Sequence, residues 1–134
     1  MRLQGAESRR ELIDDPRIEI LSEGARPAVD FLRDLDCFLY RIRAGWYEAW
    51  GRVVSEAMAC GVPVVAENRG GYTEFVEHGR TGYLFNDNDE AVRQVMTLKE
   101  SEALRQEIGA IAREAMVRIN SDEARAEAMA FYYR

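Results

Sequence analysis

Several classes of function are excluded by what this 134-residue sequence lacks. No stretch approaches the run of about 18 apolar residues that a membrane-spanning helix needs. The start, Met1-Arg2-Leu3-Gln4-Gly5, turns charged at once and carries no apolar core of a signal peptide. The one histidine, His78, and two widely separated cysteines, Cys37 and Cys60, supply neither a zinc site nor a disulfide framework. The thiols read as small buried side chains, in keeping with a reducing, cytoplasmic location. No Asp-x-Asp pair stands before a substrate site. The nearest look-alike, Asp87-Asn88-Asp89, reads as a helix cap, so no metal or other cofactor is expected. A basic excess is also missing. The formal charge of −6 argues against a general nucleic-acid binder, which needs cations to neutralise phosphates. It leaves room for a local basic pocket. Repeats and low-complexity tracts are absent.

What is present is ordinary for a globular chain: 47% apolar and 31% charged residues, enough for one sizeable core. Strand-like and helix-like segments alternate. Leu3 to Gly5 reads as a strand end, and Glu7 to Ile13 as a short helix stopped by Pro16. Arg17 to Leu21 alternates like a strand. A helix follows from Arg26 to Leu35, then a buried strand from Asp36 to Tyr40. Trp50, Val53, Val54, Ala57 and Met58 share one face of a helix over Gly51 to Cys60, which Gly61 ends. Val62 to Ala66 is a buried strand, Thr73 to Glu77 a short helix, and Tyr83 to Phe85 a strand. Asp87 or Asn88 caps a helix to Lys99. Ser101 caps the next, and Ser121 or Asp122 the last, which runs into Phe131-Tyr132-Tyr133. The alternation predicts an α/β fold, a Rossmann-like doubly wound parallel sheet with a helical C-terminus. Ligands of such sheets bind beyond the carboxyl ends of the strands. The turns after Leu21, Tyr40 and Ala66 are therefore where function is sought.

Glu48 lies in the turn after Tyr40, and Glu56 follows eight positions later inside a helix. By itself such a pair is weak. Its setting is Glu48-Ala49-Trp50-Gly51-Arg52-Val53-Val54-Ser55-Glu56-Ala57-Met58-Ala59-Cys60-Gly61-Val62-Pro63-Val64-Val65-Ala66, then Gly70, Gly71 and Glu74, then Gly79, Gly82, Leu84 and Phe85. Free backbone N–H groups over Gly51 to Val53 form an anion site at a helix start. A carboxylate just before that start repels phosphate but suits hydroxyl donors. A carboxylate also suits a vicinal diol, accepting two hydrogen bonds at once.

The whole pattern resembles the nucleotide-sugar-binding domain of retaining glycosyltransferases of the GT-B fold, the glycosyl transferases group 1 type. The likeness is dense from Gly45 to Phe85 and weaker from Arg17 to Tyr133, with Trp50 where the family usually has Phe. The resemblance implies binding of a nucleotide-diphosphate sugar and retaining transfer to a hydroxyl acceptor. It implies that Glu48 faces the sugar and acts in catalysis, with Trp50, Gly51, Arg52 and Val53 beside it. It gives Glu56 the ribose hydroxyls, and Gly70 and Gly71 the turn facing the donor sugar. Arg43 and Arg69 read first as solvated surface residues and second as charges near the diphosphate. Glu74 fits the family's acidic position and equally a structural helix carboxylate. His78 reads as a loop residue in preference to a catalytic base.

Three departures limit what the resemblance implies. No residue matches an Arg and a Lys that hold the diphosphate in the family's first βα unit. An acceptor domain is missing, so the acceptor is undefined. Arg41-Ile42-Arg43-Ala44-Gly45-Trp46 stands where Pro-Ser is usual. The expectation is a single, incomplete donor domain, weakly active or inactive alone, with self-association or a partner subunit supplying the missing half. The alternatives are a non-catalytic nucleotide-sugar-binding module or subunit, and an epimerase of related fold.

Overall fold

The computed structural model describes residues 1–4 and 15–132. The helix expected over Glu7 to Ile13, together with Gly5 and Tyr133, lies outside the described residues. The chain divides into two compact units, residues 1–31 and 32–134. In the first, β1 (Arg2–Gln4) pairs in parallel with β2 (Glu19–Leu21), with Leu3 opposite Ile20. An Arg2–Glu19 ion pair of 2.8 Å lies across the two strands. Helix α1 (Ala28–Arg33) begins after Pro27, whose carbonyl accepts from the Phe31 N–H.

The second unit contains a parallel sheet in the order β3 (Phe38–Tyr40), β4 (Val64–Glu67), β5 (Tyr83–Phe85). Phe38 stands opposite Val64, and Ala66 opposite Leu84. Strand β4 is central, and Val64, Val65 and Ala66 are fully buried, which explains its unbroken apolar sequence. Strand β3 was expected to be buried. It lies at one end of this sheet, and Leu39 is 49% exposed. Helix α2 (Arg52–Ala59) buries Val54, Ala57 and Met58 and ends at Cys60 and the left-handed Gly61 (φ 77°). The short helix expected over Thr73 to Glu77 is a 3₁₀ turn, Gly71–Glu74.

Helix α3 (Asn88–Glu100) starts on Asp87, whose carboxylate accepts from the Glu90 N–H at 2.8 Å; the Glu90 carboxylate reaches back to the Asn86 N–H at 2.7 Å. Ser101 caps α4 (Glu102–Ile119) through the Leu104 N–H. Helix α5 (Asp122–Tyr132) follows, with the Ser121 hydroxyl accepting from Ala124. The core joins Val65 and Phe85 of the sheet to Ala91, Leu98 and Ile108 of α3 and α4, with Cys37 packed against it. Burial is the largest influence raising the Cys37 thiol pKa, so this cysteine stays a neutral packing group. Helix α4 packs on α2, and a Cβ at Gly109 would run into the Gly61 carbonyl oxygen. Among the described residues no helix is long and apolar enough to cross a membrane.

These contacts set the expected cost of two substitutions. Leu98→Ala removes a fully buried side chain and should lower stability by about 2–5 kcal/mol. Gly109→Ala forces α4 off Gly61 and should cost about 1–3 kcal/mol. Urea unfolding measures both, and an unchanged midpoint for Gly109→Ala would refute the close approach.

Candidate functional site

The site is built where β3 and β4 end on the same side, as parallel register requires. From Tyr40 the chain enters residues 41–50 and from Glu67 it enters residues 68–70. Glu67 and Arg69 tie these two segments together. Glu67 Oε2 accepts from the Ile42 N–H (3.2 Å) and from Arg69 Nη2 (3.2 Å). Arg69 Nη2 also donates to the Ile42 carbonyl (3.0 Å). Ile42 is buried, while its neighbours Arg41, Arg43 and Ala44 are exposed. Arg69 was expected to be a solvated arginine or a diphosphate contact. It is instead a staple between loops, with its Nε buried.

Glu48 closes this first loop. Its Oε1 accepts from the Gly51 N–H (3.0 Å) and more weakly from the Trp50 N–H (3.5 Å). Its Oε2 accepts from the Tyr40 hydroxyl (3.1 Å). The carboxylate therefore sits on the amino end of α2, where backbone N–H groups and the helix dipole favour negative charge. The Gly51 N–H bond is the largest influence holding the Glu48 pKa below its ordinary value, followed by the Tyr40 bond. Burial is the main influence raising the Tyr40 pKa, and Glu48 adds to it. The sequence suggested a wholly free row of N–H groups from Gly51 to Val53. The Gly51 group is already taken by Glu48, and those of Arg52 and Val53 have no acceptor among the described residues.

The loop is held at this height by Tyr72. Its ring is fully buried, its hydroxyl donates to the Glu67 carbonyl at 2.6 Å, and its edge meets the Tyr40 ring at 5.6 Å. Burial drives the Tyr72 hydroxyl far above its ordinary pKa, so it acts only as a neutral donor. Gly51 (φ 76°) adopts a left-handed conformation, and a Cβ there would come within 2.6 Å of the Tyr72 ring. A Cβ at Gly71 would overlap the Ala49 carbonyl oxygen, because the Gly71 N–H donates to the Glu48 carbonyl at 2.8 Å. Gly70 and Gly71 thus sit directly against the Glu48 backbone.

The other predicted residues divide. Glu56 is exposed on α2 and pairs with Arg52 at 3.4 Å, one helical turn apart. Val53 is partly buried. Trp50 was expected on the inward helix face. It precedes the helix, is 50% exposed, and tilts against Phe75 at 5.2 Å. Arg43 lies over the Trp46 ring at 5.8 Å. Glu74 is exposed at the end of the 3₁₀ turn. His78 Nδ1 accepts from the Leu84 N–H at 3.1 Å and its ring meets Tyr83, which makes it a loop residue.

Sequence reasoning missed Tyr40, Glu67 and Tyr72. One signal was available: paired glycines immediately before an aromatic residue leave space for a buried ring. Between the two loop segments lies an open cleft of about 490 Å³, lined by Arg41, Ile42, Arg43, Ala44, Glu67 and Arg69.

Residues 20–115 match the family described as glycosyl transferases group 1. The N-acetyl-alpha-D-glucosaminyl L-malate synthase of Bacillus anthracis is 41% identical over 71 residues, 52% of this chain and 19% of that protein. Among solved structures, Anabaena Alr3699/HepE in complex with UDP and glucose is 27% identical, with a TM-score of 0.65 over 87% of this chain and 32% of that one. Sucrose-phosphate synthase from Thermosynechococcus elongatus is 25% identical, with a TM-score of 0.72 over 95% of this chain and 32% of that one. The matched segment thus spans a third or less of each of these proteins. The solved relatives place the chain in the Rossmann-like α/β architecture of GT-B glycosyltransferases.

The geometry at Glu48 predicts a pH signature. Its folded pKa lies below the ordinary 4.5, so ionisation favours the folded chain. That contribution is complete above the ordinary value and is lost as pH falls through the lower, folded value. Glu48→Gln should lower the melting temperature at pH 7, and the gap to wild type should narrow below pH 4.5. Thermal melts across pH test this, and a gap independent of pH would count against the carboxylate cap.

Proposed function

The chain belongs to the glycosyl transferases group 1 family, and we propose that residues 32–134 form its donor site, binding a nucleoside-diphosphate sugar for retaining transfer to a hydroxyl acceptor. One observation carries this reading: a carboxylate, Glu48, is fixed at the amino end of α2 beside two N–H groups, of Arg52 and Val53, that have no acceptor among the described residues. Glu48 Oε2, with one protein bond, keeps accepting capacity, whereas Oε1 already accepts from two N–H groups. In this proposal Glu48 accepts from sugar hydroxyls and stabilises positive charge developing on the ring during transfer. The Arg52 and Val53 N–H groups face a phosphate. Gly70 and Gly71, with Trp50 and Gly51, border the sugar, and Glu56 releases Arg52 to take the ribose diol. An exposed ion pair of this kind is worth little, so its exchange for ribose is cheap. The UDP and glucose bound by Anabaena HepE support the donor class. Transfer itself, its stereochemistry and the acceptor belong to the same proposal for the whole protein, as does a cytoplasmic location.

Calorimetry against UDP, GDP and ADP tests the donor site. At least one diphosphate should bind, and Glu56→Ala should weaken it about tenfold, as loss of charge-assisted hydrogen bonds requires. Unchanged binding would remove Glu56 from the site, and no binding by any of the three would remove the reading.

A further inference from the structure

The cleft beside Glu48 has a charge opposite to that of the chain around it. Three guanidinium side chains, Arg41, Arg43 and Arg69, and one carboxylate, Glu67, line it. That is an excess of two positive charges in a chain whose net charge is −6. Glu67 and Arg69 neutralise each other at 3.2 Å and are committed to joining the two loops. Among the described residues, Arg41 donates to the neutral Asn88 side chain, at 2.6 Å. Arg43 rests on the Trp46 ring. Among the described residues, no carboxylate pairs with Arg41 or Arg43. Both guanidinium groups line the cleft, and an anion held there would match their charge.

The cleft is contiguous with the Glu48 segment. A Cβ at Gly70 would lie 3.0 Å from the Glu48 carbonyl oxygen and 3.1 Å from the Ile42 side chain. Gly70 therefore forms a common wall between Ile42 in the cleft and the Glu48 backbone. The packing of Arg43 on an indole also favours a preorganised guanidinium, which loses little freedom on binding a planar oxyanion.

We infer that this cleft is an oxyanion subsite, in which Arg43 and Arg41 hold a phosphate or carboxylate group carried by the ligand next to Glu48. The inference extends the donor-site reading by naming a charged group that the ligand presents there. That group comes either from the diphosphate of the nucleotide or from an acidic substituent on a sugar.

Calorimetry on the full chain, at low salt, with pyrophosphate, D-glucuronate and uncharged D-glucose, decides the matter. Pyrophosphate or glucuronate should bind, glucose should not, and raised salt should weaken the interaction. Arg43→Gln should weaken it about tenfold. Arg113→Gln, an exposed change on α4, should leave it alone. If UDP displaces pyrophosphate, the cleft holds the diphosphate; if glucuronate binds beside UDP, it holds an acidic sugar. Binding of neither anion, or equal binding by Arg43→Gln and wild type, overturns the inference even where UDP binds. Anion binding that depends on Arg43 without binding of any nucleotide upholds the subsite and removes the donor-site reading instead.

Discussion

The buried ring of Tyr72 is the constraint on which the site depends. It fills the space that Gly51 and Gly70 leave between two loops, and its hydroxyl is anchored on the end of β4. With the ring in place, the Gly71 N–H meets the Glu48 carbonyl and the backbone of residues 48–51 is set at a fixed height over the sheet. The glycines are therefore needed for contact as much as for conformation. Gly71 has no left-handed φ, yet any side chain there would collide with Ala49. A larger residue at that position would part the two loops and lift Glu48 away from α2 before it altered any chemistry.

The electrostatics follow from this placement. A helix start can hold either a side-chain carboxylate or a ligand anion on its N–H groups. Here it holds Glu48 on Gly51, and the next two groups have no acceptor among the described residues. The same bonds that lower the Glu48 pKa keep it ionised, and an ionised carboxylate only accepts hydrogen bonds. It therefore offers acceptors to hydroxyl donors and repels a phosphate at its own position. Any phosphate must lie to one side, toward Arg52 and Val53 or toward the basic cleft.

Most of this architecture was legible in the sequence, for identifiable reasons. Strand β4 announced itself by an unbroken apolar run, and β5 was placed at Tyr83 to Phe85 as observed. Ser101 was recognised as a cap, and Asp87 as one of two candidates with Asn88, because such side chains at a helix start accept its N–H groups. The inward face of α2 was right for Val54, Ala57 and Met58 and wrong for Trp50, since periodicity does not mark where a helix begins. Gly51, in a left-handed conformation, rotates Trp50 out of the helical register. The residues that set the Glu48 loop were not legible. Tyr40 bonds the Glu48 carboxylate directly, while Glu67 and Tyr72 secure the neighbouring backbone, and parallel pairing of β3 with β4 brings these segments together.

Arg69 shows how such long-range pairing decides a residue's meaning. By sequence it is an arginine in a glycine turn, equally suited to solvent or to a phosphate. Once β3 and β4 are in register, the Ile42 carbonyl and the Glu67 carboxylate both fall within its reach, and it binds the loops to each other. Its charge is then matched by Glu67, and the loop it secures carries two further arginines that no carboxylate pairs with among the described residues. A local excess of positive charge on a chain of net charge −6 is the arrangement that draws an anion to one place. The staple thus has two consequences from one geometry: it positions the Glu48 loop, and it holds Arg41 and Arg43 at the edge of the same opening.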